Sequence, residues 1–221
     1  MATPMNTTRE AVAVPLWEEG ETADSTGGQF WCCAQLLACC CANDDDPLRV
    51  RGRRVLELGG GTGALAIAIA RAGATRVLST DVGGRVHDMA AAFSRENAPA
   101  GALEARELWF GERDGTEVFD LVVASELLYW PALSVLDDDT LVPLVATLRA
   151  VCSRTSFCPA LLAFKVRDQA REARFFDLTA DAGFVVAKTW RLTVPPDFRD
   201  PDPPGGPTLA DVRCVELHLR R

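Results

Sequence analysis

From residue 54 onward, short apolar runs alternate with longer segments in which apolar side chains recur every three or four positions. The short runs are typical of buried strands, and the longer spacing is typical of amphipathic helices. The predicted strands are residues 54–58, 76–80, 103–108, 119–124, 160–164, 184–190 and 212–219, and the predicted helices are 64–72, 85–97, 140–152 and 169–182. This alternation predicts an α/β fold with a doubly wound sheet.

Three further segments lie outside that alternation. Residues 11–17 are compatible with a short strand, and residues 29–42 with a helix. Residues 194–207 are rich in proline, aspartate and glycine and are too long for a tight hairpin, so we expect a surface loop there.

The turn after the first predicted strand is the most specific local signal. Gly59, Gly61 and Gly63 follow the apolar run that ends at Leu58, and an alanine-rich segment begins directly after them. Glycines at a strand-to-helix turn let the backbone approach a ligand closely. Asp81 ends the next strand, where an acidic side chain can accept two ribose hydroxyls. Together these features predict a nucleotide-cofactor site.

Glu57, two positions before the first glycine, indicates which cofactor is favoured. A carboxylate beside the helix N-terminus would repel the pyrophosphate of a dinucleotide. S-adenosylmethionine has no phosphate, and Glu57 is placed to hold its ammonium and sulfonium groups. A dehydrogenase would also lack its Tyr-x-x-x-Lys dyad, because Leu133 lies four residues after Tyr129, the only tyrosine. A methyl-donor site is favoured over a dinucleotide site or a turn without a ligand.

Composition limits the protein class and its partners. A chain of 221 residues with 48% hydrophobic content can bury one core of ordinary size. It contains no apolar run of about 18 residues and no N-terminal targeting pattern, so we expect no membrane association and a cytoplasmic location, with the nucleus as an alternative. The net charge of -8 disfavours nucleic acid and favours a basic protein or peptide partner. We expect a monomer.

The eight cysteines do not predict a metal site, because they lack the Cys-x-x-Cys spacing of zinc ligands. His87 and His218 are the only histidines and lie in different predicted elements. Six residues of segment 29–42 instead fall on one helical stripe: Cys32, Cys33, Leu36, Leu37, Cys40 and Cys41. Free cysteine packs as a small hydrophobe, so this stripe predicts a buried helix face in a reducing compartment.

Beyond the glycine turn, an ordered series of motifs resembles the seven-strand protein lysine methyltransferases of methyltransferase family 16. The motifs are Thr-Gly-Gly-Gln-Phe-Trp at 26–31, the turn at 55–63, Thr-Asp at 80–81, Glu-Asn at 96–97, Leu-Trp-Phe-Gly at 108–111, Ala-Ser-Glu-Leu-Leu-Tyr at 124–129 and Phe-Lys-Val-Arg at 164–167. The resemblance covers residues 27–219. It implies a three-layer, Rossmann-like, seven-stranded methyltransferase fold, mostly parallel with an antiparallel last strand, in a domain of residues 27–221 after an N-terminal extension of residues 1–26.

The resemblance also implies roles in cofactor binding. Gly59, Gly60 and Gly61 would pass under the methionine part of S-adenosylmethionine. Asp81 would hold the ribose hydroxyls, and Ser125 would close the pocket from the end of the fourth strand.

Three aromatic residues complete the cofactor site that the resemblance implies. Trp31 would cover the donor, and Trp109 or Phe110 would border the adenine. Aligned on Leu108 and Gly111, Phe110 takes the place of the family's tryptophan, with Trp109 one position earlier. Both aromatics therefore remain candidates for the adenine contact.

Glu126 and Tyr129 are the candidate catalytic residues, at the carboxyl end of the fourth strand. Glu126 stands where the family usually has aspartate. Both side chains can accept hydrogen bonds from a substrate amine and aim its lone pair at the methyl group. An ionised Glu126 favours the charged amine, so its expected role is to capture and orient lysine, with the proton leaving to water.

The expected function is methyl transfer from S-adenosylmethionine to a lysine amine of a protein with a basic or lysine-containing surface. One alternative is a methyltransferase for a small-molecule amine or a protein histidine. Another is a catalytically silent relative that binds the cofactor and acts as an interaction protein. The acidic runs at 44–46 and 137–139 are compatible with a basic partner and equally with solvated loops.

Overall fold

The computed structural model describes residues 28, 30–41, 48–95, 102–112, 116–128, 138–192, 194–196, 198–200 and 208–221. The predicted strand at 11–17 and the candidate Tyr129 lie outside these residues. Within them, the strands are β1 (Arg54–Leu58), β2 (Arg76–Asp81), β3 (Leu103–Glu107), β4 (Leu121–Ser125), β5 (Ala160–Lys165), β6 (Phe184–Trp190) and β7 (Val212–Leu219). The helices are α1 (Cys32–Cys41), α2 (Ala64–Arg71), α3 (Gly84–Arg95), α4 (Asp138–Cys152) and α5 (Gln169–Asp181), with a 3₁₀ turn at Leu209–Asp211.

The strands form one seven-stranded sheet in the order β3-β2-β1-β4-β5-β7-β6. Parallel pairing joins β3, β2, β1, β4 and β5, whereas β7 is antiparallel to both β5 and β6. The predicted fold, a mostly parallel sheet with an antiparallel last strand, is confirmed. That last strand does not lie at the edge of the sheet, because it inserts between β5 and β6.

Helices cover both faces of the sheet, and successive strand residues supply the two cores. On β5, Leu161 and Ala163 pack in the core that includes residues of α1, α2 and α3. Leu162 and Phe164 face the opposite side, in the core that includes residues of α4 and α5. This alternation makes the three layers and leaves the strand ends free to carry polar side chains.

Helix α1 is more deeply buried than a single stripe predicts. The six stripe residues are buried as expected, but Ala34 and Ala38 on the other side are buried as well. Only Gln35 and Cys39 are partly exposed. The helix contacts both α2 and β5, so it forms an internal part of the fold.

Most element boundaries agree with the sequence prediction to within two residues. Helix α1 begins at Cys32, three residues later than predicted, and β4 runs from Leu121 to Ser125 in place of 119–124. Among the described helices, none is both long and apolar enough to cross a membrane.

Candidate functional site

The candidate site lies where the carboxyl ends of β1, β2, β4 and β5 meet. Gly59 follows β1, Asp81 ends β2, Glu126 follows β4, and Arg167 comes two residues after β5. The strand order reverses between β1 and β4, because β2 and β3 lie on one side of β1 while β4 and β5 lie on the other. In open α/β sheets ligands bind at such a switch point.

Three backbone amides of the glycine turn are satisfied within the protein. The Gly60 N–H donates to the Thr80 carbonyl at 2.9 Å, and the Gly63 N–H donates to the Gly60 carbonyl at 2.8 Å. The Gly61 N–H donates to Asp81 Oδ2 at 2.7 Å. A dinucleotide site presents its turn amides to a pyrophosphate, and these three amides are already used. The donor set therefore fits an uncharged or cationic ligand better than an anionic one.

The turn packs so closely on its surroundings that it requires glycine. At Gly59, where φ is 69°, a Cβ would lie 2.4 Å from Leu127 Cδ2. At Gly60 a Cβ would lie 2.0 Å from Ser79 Oγ and 2.6 Å from Met89 Sδ. The absence of side chains here serves close packing against β2, α3 and the segment after β4.

Asp81 combines a structural contact with its position at the strand edge. Its Oδ2 accepts from Gly61, and its Oδ1 accepts from the Val82 N–H at 2.8 Å. Each carboxylate oxygen has a second lone-pair direction, so the side chain retains acceptor capacity for ribose hydroxyls. Its hydrogen bond to Gly61 fixes the distance between the turn and the end of β2.

Glu57 is only 1% exposed and lies behind the turn. Its Oε2 accepts a hydrogen bond from Ser79 Oγ at 2.5 Å, and a Cβ at Gly60 would come within 3.1 Å of the same oxygen. Burial raises the pKa of Glu57 to about 8, the charge of Asp81 adds to this shift, and the Ser79 hydrogen bond opposes it. The raised pKa favours the neutral acid at this buried position. A role for Glu57 in holding the positive groups of S-adenosylmethionine stays a prediction.

Glu126 has a backbone conformation that is unusual for glutamate. Its φ is 56°, in the left-handed region, and its N–H donates to the Ala163 carbonyl at 2.8 Å. The side chain is nearly buried and forms an ion pair with Arg167. The carboxylate is thus fixed at the end of β4 by a bond to β5 and by a cation that follows β5.

The side chains around this ion pair come from the start of α1. The Arg167 guanidinium lies 5.7 Å from the centroid of the Trp31 ring, within the range of a cation–π contact. The Cys33 thiol hydrogen-bonds with Cys32 and Glu126, and these contacts together with burial raise its pKa far above the usual range. The structure therefore brings Trp31 and Glu126 together, with Arg167 between them.

The two candidate adenine contacts differ in their surroundings. Trp109 is 54% exposed, and its Nε1 donates to Glu107 Oε1 at 3.2 Å. The same oxygen accepts from the Gly83 N–H, in the loop after Asp81. Phe110 packs against the α4 and α5 core. Trp109 is therefore the aromatic residue that remains accessible beside the end of β2.

Ser125 is the last residue of β4 and is half-buried, in register with Ala163 of β5. It precedes Glu126 directly, at the carboxyl end of the strand that pairs with β1. Among the described residues, no group of three or more histidine, cysteine, aspartate or glutamate side chains is arranged to hold a metal ion.

Two residues of the site, Ser79 and Arg167, had no predicted role. Ser79 pairs in register with Glu57 across β1 and β2. This pairing could have been predicted, because the glycine turn and Asp81 mark the ends of two adjacent parallel strands. Arg167 was part of a motif without a role. Because it and Glu126 both follow the carboxyl ends of parallel strands, their proximity could have been predicted.

Comparison with protein families gives one match. The profile of a family described as lysine methyltransferase matches residues 10–182. No curated protein matches the chain in sequence.

Solved structures share the fold at low sequence identity. A ribosomal protein L11 methylase from Lactobacillus delbrueckii subsp. bulgaricus has a TM-score of 0.54 and 19% identity, covering 86% of this chain and 79% of that one. A magnesium protoporphyrin IX methyltransferase from Synechocystis, solved with bound S-adenosylmethionine, has a TM-score of 0.55 and 18% identity, covering 85% and 78%. A putative RNA methyltransferase from Pyrococcus horikoshii has a TM-score of 0.51 and 16% identity, covering 84% and 81%.

Proposed function

The chain belongs to the lysine methyltransferase family whose profile it matches, and on that premise we propose that it methylates a lysine side chain of a protein. The protein is a methyltransferase that uses S-adenosylmethionine as its cofactor. The proposal concerns the acceptor, because the solved structures that share the fold are named for a protein, a porphyrin and an RNA as substrates.

The observation that carries the proposal is a fixed carboxylate beside the donor turn. Leu127 packs against Gly59, where a Cβ would lie 2.4 Å from its Cδ2. Glu126 is the preceding residue, and its carboxylate is held by Arg167. A hydrogen-bond acceptor for an amine therefore lies one residue away from a side chain that contacts the cofactor turn.

When bound, S-adenosylmethionine would supply an electrophilic methyl group on a sulfonium. The carbon–sulfur bond would break as the amine nitrogen forms the new N–C bond, and the sulfur would become a neutral thioether. The chain's own residues position the two partners. The glycine turn and Asp81 would hold the donor, and Glu126 would accept a hydrogen bond from the amine and orient its lone pair. The lysine ammonium loses one proton to water before the attack, and the methylated nitrogen leaves as an ammonium.

The acceptor amine must be neutral when it attacks. A free lysine has a pKa of about 10.4, so the neutral form at pH 7 costs about 4 to 5 kcal/mol. A desolvated slot lowers that pKa. Around Glu126 the described side chains are closely packed, with Cys33 buried beside the carboxylate, and this low exposure supports an amine slot. Tyr129 remains our proposed second hydrogen-bond acceptor.

The proposal is tested by methylating a cell extract with S-adenosylmethionine that carries an isotopically labelled methyl group. Labelled residues are identified by tandem mass spectrometry for the wild type and for Asp81→Ala and Glu126→Gln. Asp88→Ala is the matched control, because Asp88 is exposed on α3 and pairs locally with Arg85. We expect label on lysine with the wild type and the control, and at least tenfold less with the two site variants.

Other outcomes would contradict the proposal in different ways. Label on histidine, or in small molecules alone, would reassign the acceptor. Donor binding without any transfer would identify a catalytically silent relative.

A further inference from the structure

The ion pair between Glu126 and Arg167 is largely removed from solvent. The exposed fraction of the side chain is 6% for Glu126 and 13% for Arg167. Separating such a pair leaves an uncompensated buried charge, which is strongly unfavourable. The two groups therefore act as a unit in the folded protein.

The backbone supports the same geometry. A non-glycine residue in the left-handed region is sterically disfavoured, and such residues persist where the surroundings fix them. Glu126 is fixed by its N–H bond to Ala163 and by the Arg167 guanidinium. Its carboxylate is thus aimed by contacts from β5 and the residues after it.

Arg167 is also fixed from the other side. Its guanidinium lies over the Trp31 ring, and its backbone N–H donates to Glu172 Oε1 on α5 at 3.1 Å. The Cys33 thiol also faces Glu126, and Cys32 lies next to Cys33. Both come from α1, and the raised pKa of Cys33 keeps that thiol neutral.

The charge balance of this cluster bears on the reaction. A lone carboxylate beside a lysine stabilises the ammonium form, which has no lone pair to attack with. A nearby guanidinium opposes that effect, because a cation disfavours protonation of the amine. With Arg167 in place, Glu126 accepts a hydrogen bond while the local net charge stays close to zero.

We propose that Arg167 is a positioning residue for the acceptor amine: held between Glu126 and Trp31, its guanidinium fixes the carboxylate and offsets its charge, so that the site takes the neutral amine. This inference rests on the proposed function in that the acceptor is an amine. The inference assigns Arg167 no contact with the cofactor. The effect of an Arg167 substitution on turnover can therefore be measured separately from its effect on donor binding.

The test compares Arg167→Gln and Arg167→Lys with Arg106→Gln. Arg106 is the matched control, because it pairs with Glu104 and Glu117 and its strand β3 is separated from β4 by β2 and β1. Donor affinity is measured by calorimetry, and kcat is measured against pH on the substrate found in the extract experiment. For Arg167→Gln we expect donor affinity within about twofold of wild type, a loss in kcat of at least tenfold at pH 7 and an acid limb displaced upward by about one pH unit.

Arg167→Lys should retain part of the kcat and keep the acid limb close to the wild-type pH, because it preserves the cation without the planar fork. The double variant Glu126→Gln with Arg167→Gln should be no slower than Glu126→Gln alone. A loss that is equal at every pH, or a double variant whose losses multiply, would overturn the inference.

A second readout needs no turnover and separates this inference from the proposed function. The ¹³C resonance of the Glu126 carboxyl, assigned by comparison with Glu126→Gln, is titrated with pH in wild type and in Arg167→Gln. The inference predicts that the carboxyl ionises at a pH at least one unit higher without the guanidinium. An unchanged titration would overturn it, even in a protein that methylates no amine.

Discussion

Gly60 is the position of the cofactor turn where an added methyl group has the least room. A Cβ there would lie 2.0 Å from Ser79 Oγ and 2.6 Å from Met89 Sδ. Overpacking of this kind typically destabilises a fold by about 1 to 3 kcal/mol. We predict that Gly60→Ala lowers the free energy of unfolding in urea by that amount and weakens binding of S-adenosylmethionine at least tenfold.

Gly84→Ala is the matched control, because nothing lies within 4 Å of its Cβ position at the start of α3. It should leave donor affinity unchanged and be neutral or slightly stabilising. Equal effects of the two substitutions on donor affinity would show that the close packing at Gly60 has no special role.

Glu57 makes the stability of the fold depend on pH. Burial raises its pKa from 4.5 to about 8 in the folded protein. The stability that comes from the neutral acid is therefore fully present below about pH 4.5 and is lost as the pH rises toward 8. Between these two pH values the free energy of unfolding falls by about 1.4 kcal/mol per pH unit relative to a variant whose residue 57 cannot ionise.

Glu57→Gln provides a side chain that cannot ionise, because the amide is neutral at every pH and has a shape similar to that of the acid. We predict that the free energy of unfolding of Glu57→Gln, measured in urea at pH 5, 6.5 and 8, increases relative to that of the wild type as the pH rises. Parallel curves for the two proteins would mean that Glu57 is ionised throughout the range.

At this scale the sequence predicted residue types better than their environments. The positions of Gly59 and Asp81 at the ends of two strands could be predicted, because a strand-turn-helix pattern is visible in consecutive residues. The left-handed backbone at Glu126 could not, because glutamate has no special preference for that conformation. The pairing of Glu126 with Arg167 joins positions 41 residues apart and requires the sheet to exist first.

A buried ion pair connects β5 to the segment that follows β6. Lys165, at the end of β5, has a fully buried side chain, and its Nζ lies 2.9 and 2.7 Å from the two carboxylate oxygens of Asp200. Phe198 of the same segment packs against the core that contains α1. The pair therefore fixes this segment to the sheet edge that carries Arg167.

We predict that Asp200→Asn destabilises the protein by about 1 to 3 kcal/mol in urea unfolding, because it leaves a buried ammonium without its carboxylate. Combining Asp200→Asn with Lys165→Met should recover part of that loss, since the buried charge is then removed. Asp177→Asn, at an exposed site on α5, is the control. If the double variant were less stable than Asp200→Asn alone, the ion pair would not be the source of the effect.

Element types were predictable because periodicity is local. Strands such as Val55 to Leu58 are short apolar runs bounded by turns, and the structure confirms that they are strands. The burial of α1 on nearly all sides was not predictable, because it depends on contact with both α2 and β5. The place of β7 between β5 and β6 likewise depends on pairing that no single segment encodes.

At the scale of the whole molecule, the net charge of -8 should govern substrate capture. An acidic protein attracts a basic substrate over distances comparable to the Debye length, and salt screens that attraction. We predict that kcat/KM for a basic protein substrate falls several-fold when salt is raised from about 0.03 to 0.3 M. Methylation of an uncharged peptide that carries one lysine is the control, and an equal salt response for both would remove the electrostatic argument.

The overall fold was predictable because two regularities reinforce each other. Alternating strands and helices predict a doubly wound sheet, and the glycine turn with Asp81 orients its first two strands. Which protein carries the acceptor lysine was not predictable, since the glycine turn and Asp81 are expected to bind the donor. The structure adds the Glu126 and Arg167 pair, to which we give a role on the acceptor side only as a proposal.

The most direct test of the account is calorimetric titration of the protein with S-adenosylmethionine and with NAD, in wild type, Asp81→Ala and the Asp88→Ala control. The account predicts that only the methyl donor binds, that Asp81→Ala weakens it at least tenfold, and that the control matches the wild type. Binding of NAD in place of the methyl donor, or donor binding that is indifferent to Asp81, would contradict the account of the site.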